Sequence, residues 1–179
     1  MLVKIFSGAV SGIEATTITI EVNILWGAKF IIVGLPDNAV KESQQRVDSA
    51  LRNIGPKIPG KRIIVNLAPA DVKKEGSAYD LPLAVGILAA NEEIPATELP
   101  HFAMLGELSL DGSLLAVKGV LPIAINAKAE GFSHMIVPYE NAEGFGIKSL
   151  INKLREEKID YSETMKNIVD IMFDGLAIK

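Results

Sequence analysis

Between Asn66 and Pro82 the chain passes from a β-branched segment through a charged loop into an apolar run, and no other stretch constrains the fold as much. Ile63, Ile64 and Val65 mark Lys61–Leu67 as a strand, because side chains branched at Cβ pack well on a pleated surface. The loop Pro69–Gly76 carries Asp71, Lys73, Lys74 and Glu75, and Leu81–Ala90 then reads as an apolar helix. Ser77 and Asp80 stand at capping-box spacing, but a helix capped by Ser77 would hold Pro82 in its interior at a cost of about 3 kcal/mol. With Asp80 as the cap, Pro82 falls in the first turn, where no backbone donor is needed. Asp80 is therefore the expected cap.

Strands dominate the chain before this passage. Val3–Val10 is apolar-rich, and Thr16–Leu25 alternates Ile18, Ile20, Val22 and Ile24 with Thr17, Thr19, Glu21 and Asn23. That period of two predicts a half-buried antiparallel strand. Trp26 and Gly27 turn the chain into a short strand, Lys29–Val33. Gly34, Pro36 and Asp37 then stop it: Gly34 allows the turn, Pro36 stiffens it, and Asp37 caps a helix with Val40, Val47, Leu51 and Ile54 at helical spacing. Gly55 and Pro56 are expected to end that helix.

After the apolar helix, Asp111-Gly112 predicts a hairpin between Met104–Leu110 and Ser113–Val117. Gly119–Glu130 reads as a helix with Pro122 in its first turn and Gly131 at its end, and His134–Val137 as a strand. Residues 145–158 and 163–173 read as further helices. The order predicts an α/β fold: a mixed β-sheet with βαβ units and helices packed against it in two layers.

A chain of 179 residues with 49% hydrophobic content can bury one core and is expected to form one domain. No apolar run reaches the ~18 residues of a membrane span, and no signal pattern opens the chain, so a cytoplasmic location without a membrane partner is expected. The absence of cysteine excludes disulfides and thiolate metal sites, and His101 and His134 alone do not suggest a histidine cluster. The scattered carboxylates Glu107, Asp111 and Glu140 do not spell a magnesium site.

Charge is unevenly spread. From Lys41 to Lys74, eight basic residues face three acidic ones, a local +5 against −9 for the remainder. Arg46, Arg52, Lys61, Arg62, Lys73 and Lys74 are thus candidate DNA contacts, the plainer reading being a solvated face. Lys73 and Lys74 are both expected to project to solvent. Gly55–Arg62 has the G-x-x-x-x-G-K frame of a P-loop, but it lies between a helix and a strand, and Pro56 and Pro59 remove two donors. It is read as a turn, not a nucleotide site.

Three stretches together carry a family resemblance: Val33–Asp37, Asn66–Pro82 and Gly106–Gly112. They resemble the N-terminal Lon-like domain of the magnesium-chelatase-like ComM/YifB family over residues 1–142. Residues 143–179 read as a helical extension packed on the same domain. Gly34, Pro36, Asp37, Gly76, Ser77 and Asp80 are the structural motif positions. The resemblance implies a Lon-type fold whose Ser–Lys dyad positions fall on Ala78 and Leu121, so neither nucleophile nor base is present. A similar loss marks the Lon-like domain of the RadA recombination proteins.

The resemblance further implies an AAA+ motor outside these 179 residues, with ATP and magnesium bound there and no cofactor in this chain. It implies self-association into a hexameric ring when joined to that motor, and DNA engagement in processing such as branch migration. "Chelatase" here reflects likeness of the motor, not tetrapyrrole chemistry. Two alternatives stay open: a residual peptidase pairing Ser77 with Lys73, Lys74 or Lys118, and a free-standing interaction module.

Overall fold

The computed structural model describes residues 1–54 and 60–143. Its central sheet has six strands, in the order Phe30–Val33, Lys61–Ala68, Glu14–Trp26, Leu2–Ser11, Phe102–Met104 and His134–Ile136. β1 (Leu2–Ser11) and β2 (Glu14–Trp26) form a long antiparallel hairpin, with Ile5 opposite Ile20 and Val3 opposite Val22. β4 (Lys61–Ala68) runs antiparallel to β2, and β3 (Phe30–Val33) lies parallel to β4 at one edge. On the other side, β5 (Phe102–Met104) and β8 (His134–Ile136) extend the sheet in parallel. The sheet is mixed, and the expected α/β class with βαβ crossovers holds.

The alternation in β2 decides which face becomes core. Ile18, Ile20, Val22 and Ile24 are buried, together with Val3 and Ile5 from β1 and Ile63, Val65 and Leu67 from β4. Against them lies α2 (Asp80–Ala90), every residue of which is buried. A helix apolar all round must be enclosed, and close approach is secured by Gly86, where a Cβ would stand 2.7 Å from Val22 and 3.0 Å from Ile5. α1 (Asn38–Ile54) buries Val40, Ser43, Val47, Ala50 and Leu51 beside α2. Ile54, expected on that stripe, is exposed.

α3 (Val120–Ala129) covers the opposite face of the β1–β2 hairpin. Its Ile123 occupies the space beside Gly8, where a Cβ would meet it at 2.5 Å, and Phe6 packs on Phe132 at 5.2 Å. Successive residues of a strand point to opposite faces, so Phe6 and Gly8 look away from α2. The helical layer expected on the sheet is thus joined by a partial one behind it. The expected hairpin shrinks to β6 (Glu107–Leu108) and β7 (Leu114–Leu115), because Met104 belongs to the main sheet. A short α4 (Tyr139–Glu143) follows β8, fixed by Asn141, which exchanges hydrogen bonds with the Val117 backbone at 2.8 and 2.9 Å. The expected end of α1 at residues 55–56 and the C-terminal helices lie outside the described residues.

Candidate functional site

Two loops meet at the end of β4, and Gly34 makes the meeting possible. A Cβ on Gly34 would stand 2.1 Å from the Leu67 carbonyl oxygen, and its φ of +99° suits glycine alone. The chain then runs beside residue 74: Lys74 N–H donates to Leu35 O at 3.3 Å and Asp37 N–H to Lys74 O at 3.0 Å. Asp37 ties both loops down. One carboxylate oxygen accepts Val40 N–H at 2.8 Å, the expected cap of α1, and the other accepts Gly76 N–H at 3.1 Å. A capping side chain satisfies a donor that the first helical turn leaves open.

Asp80 corrects an expectation. It is not the cap of α2 but its first residue, preceded by Tyr79 in helical conformation, with no side-chain cap bond at that end. Its carboxylate is 0% exposed and accepts Arg46 Nε at 2.5 Å, Arg46 Nη2 at 3.0 Å and Leu108 N–H at 3.1 Å. Arg46 also donates to Ala39 O at 2.9 Å and Ser43 Oγ at 3.2 Å. The bond to Asp80 holds the Arg46 guanidinium above its ordinary pKa. This bidentate, charge-assisted pair joins α1, α2 and β6. A carboxylate in the first turn also suits the helix dipole, but the sequence gives no sign that its partner lies 34 residues upstream.

Around the expected dyad position the chemistry is equally settled. Ala78 O accepts Gly106 N–H at 2.9 Å, and Gly106 O accepts Leu81 N–H at 3.0 Å, so the segment before β6 clamps the start of α2. The Ser77 hydroxyl donates to Glu107, not to a lysine. Lys74, expected in solvent, is 0% exposed and donates Nζ to the Pro69 carbonyl. Burial pushes its pKa down. Lys73 does project outward, 2.5 Å from Glu75. Lys118 is exposed on the loop before α3, and Leu121, the other position at which a dyad residue was expected to fall, is 52% exposed on α3.

The structure divides the basic segment. Arg46 and Lys74 face inward and leave the candidate DNA-contacting set for the reasons just given. Arg52 pairs with Asp48 on α1 at 3.0 Å. Lys61 and Arg62 open β4 at the far end of the strand from Lys73, which follows its other end. Opposite them in register are Trp26 and Leu25, and Lys29 O accepts Ile63 N–H at 2.7 Å. Trp26, expected in the turn, is the last residue of β2, and the running of that strand past its last core position is the signal for it. Gly60–Arg62 leads into a strand where a P-loop needs a helix N-terminus, so the residues do not fit a nucleotide phosphate.

Nor do the carboxylates fit a magnesium ion. Glu107 is engaged by Ser77, while Asp111 accepts the Ser109 hydroxyl and the Ser113 N–H at 2.9 Å. Among the described residues no three His, Cys, Asp or Glu side chains converge on a common point.

Comparison with known proteins places this arrangement. The family described as subunit ChlI of Mg-chelatase matches residues 20–141. Competence protein ComM of Haemophilus influenzae is 41% identical over 172 residues, covering 96% of this chain and 32% of that protein. The YifB protein of Escherichia coli is 43% identical over 140 residues, covering 78% of this chain and 28% of its own length. Lon protease 2 of Bacillus subtilis is 32% identical over 125 residues, 67% of this chain and 22% of that protein. The chain spans about a third of the length of the curated ComM and YifB relatives it matches. The match of the family over residues 20–141 and the similarity of these relatives over most of its length show that the chain belongs to the magnesium-chelatase-like ComM/YifB family.

Proposed function

We propose that this chain is a non-catalytic Lon-like domain that serves ring assembly and DNA engagement for an AAA+ motor in DNA processing. The observation that carries the non-catalytic reading is the environment of Ser77. A serine nucleophile needs a neighbouring base that can take its proton. The Ser77 hydroxyl is given to the Glu107 carboxylate, and the buried Lys74 is committed to a backbone carbonyl. Ala78 and Leu121 offer only aliphatic carbon at the dyad positions.

The similarity to a protein named for competence supports a role in DNA processing. ATP and magnesium would be held by the motor, and ring formation and DNA contact would follow from its attachment. A cytoplasmic location agrees with this role; among the described residues no helix is long and apolar enough to cross a membrane.

The test combines two measurements on the full chain. Incubation with a serine-reactive fluorophosphonate should leave Ser77 unlabelled, and a labelled peptide should stay intact. Labelled DNA at low salt should bind with micromolar or weaker affinity and lose it steeply with added salt. A Ser77 adduct with peptide cleavage would establish the peptidase reading instead. An unreactive Ser77 without DNA binding would favour a free-standing interaction module.

A further inference from the structure

Trp26 is 99% exposed at the end of β2. Tryptophan is highly buried on average, so a fully exposed indole on an ordered strand is unusual. One cation stands opposite it on the neighbouring strand. Trp26 pairs with Lys61 across the β2–β4 ladder, which sets both side chains on one face, while Arg62, opposite Leu25, leaves from the other face at the same strand end. The Arg62 side chain lies beside Gly27, where a Cβ would meet the Arg62 Cβ at 3.1 Å. The Lys29 carbonyl bond to Ile63 brings exposed Lys29 to the same sheet end. Lys61 Nζ donates to Asn91 at 2.9 Å, which uses one of its three hydrogens. The nearby Glu93 carboxylate is engaged by the Asn91 amide at 3.0 Å and limits the local positive charge.

We infer that Trp26 and Lys61 form a contact for single-stranded nucleic acid, with one base stacked on the indole and an adjacent phosphate held by the Lys61 ammonium. Every base presents a π-face, so such a platform tolerates any sequence, while cations beside it track the backbone. Duplex fits worse, because its bases are already stacked. The inference rests on the DNA-engagement reading and gives it a location, which the sequence had sought along Lys41–Lys74.

Trp26 is the sole tryptophan of the chain, so its fluorescence reports on this one place. The full chain is titrated at low salt with a deoxythymidine oligomer, a uridine oligomer, a duplex of equal length and an abasic strand. Anisotropy of labelled strands is followed in parallel. One or both base-bearing single strands should quench Trp26 emission, and their comparison separates DNA from RNA. Abasic strand and duplex should quench it far less.

Trp26→Ala should weaken single-strand binding by about five- to a hundredfold, the loss of one stacked base. Trp26→Phe should recover part of it. Lys61→Ala should lower the salt slope by about 0.7, one phosphate on a single strand, while Arg62→Ala, on the other face, should leave it unchanged. Because Trp26 touches no core, Trp26→Ala should fold normally. Labelled strands that bind wild type and Trp26→Ala alike with unchanged emission would overturn this site yet leave DNA engagement standing. Absence of any strand binding would overturn both. Equal quenching by the abasic strand would refute stacking, and emission that depends on protein concentration alone would assign Trp26 to contact with a second copy.

Discussion

Removing the Asp80 carboxylate should destabilise the domain far more than loss of a helix cap. Three donors converge on it: two from Arg46 at 2.5 and 3.0 Å and Leu108 N–H at 3.1 Å. Asp80→Ala strands a guanidinium whose side chain is only 19% exposed and a buried backbone donor. Breaking one partner of a buried pair costs about 3–5 kcal/mol, against about 0.5–2 kcal/mol for a cap. Asp80→Asn discriminates between the two roles. An asparagine cap still accepts the backbone bond, so the loss would be a few tenths of a kcal/mol. In the observed pair the amide keeps one oxygen, loses the charge and turns an N–H toward the guanidinium, so a loss of roughly 2–3 kcal/mol is expected.

Urea unfolding followed by far-UV circular dichroism would measure these losses as shifts in midpoint at constant slope. Arg46→Met with Asp80→Leu completes a cycle. The double variant should cost at least about 1 kcal/mol less than the sum of the single ones, since neither charge is then left alone. A near-neutral Asp80→Asn, or additivity in the cycle, would refute the buried-pair account and restore Asp80 to a capping role.

Gly34→Ala should lose about 2–5 kcal/mol, combining a disfavoured positive φ with overpacking against the Leu67 carbonyl; a stability unchanged within error would deny the close approach. Asp37→Ala should lose about 1–2 kcal/mol, and hydrogen exchange should quicken at Val40 and Gly76 together, because one carboxylate serves both amides. Brief acylation followed by peptide mass mapping should label Lys73 and spare Lys74, whose amine is buried; equal labelling would place both lysines in solvent. The Asp111 carboxyl, held down chiefly by the Ser109 hydroxyl and then by the Ser113 amide, should titrate at about 2 by NMR. Its folded value is depressed, so its contribution to stability is present above the ordinary carboxylate range and fades as pH falls toward about 2. Ser109→Ala should raise that value and narrow the window.

The periodic elements and the local stops were legible in the order of the residues. Alternation along β2 named its buried face, because a strand's side-chain period is two and one face must leave water. Asp37 was legible as a cap because its partner lies only three residues away. Gly131 at the end of α3 was legible for a similar reason: its φ of +88° is a local demand that glycine meets.

What the tertiary structure alone decided involves groups far apart in the chain. Asp80 looks like a cap in any local window, yet Arg46 and Leu108 reach it across 34 and 28 residues. Lys73 and Lys74 are adjacent and chemically alike. The pairing of residue 74 with the Leu35–Asp37 turn leaves Lys73 outside and carries Lys74 in. Eight positive charges in one stretch suggested one patch. A strand and a helix instead distribute the seven of them that lie among the described residues to a buried ion pair, an exposed helix and two opposite ends of β4. Which of them keep company with Trp26 follows from the β2–β4 register, set by burying Ile20, Val22 and Ile24 against Leu67, Val65 and Ile63. That register is a property of the packed core, so the composition of the basic segment could not reveal it.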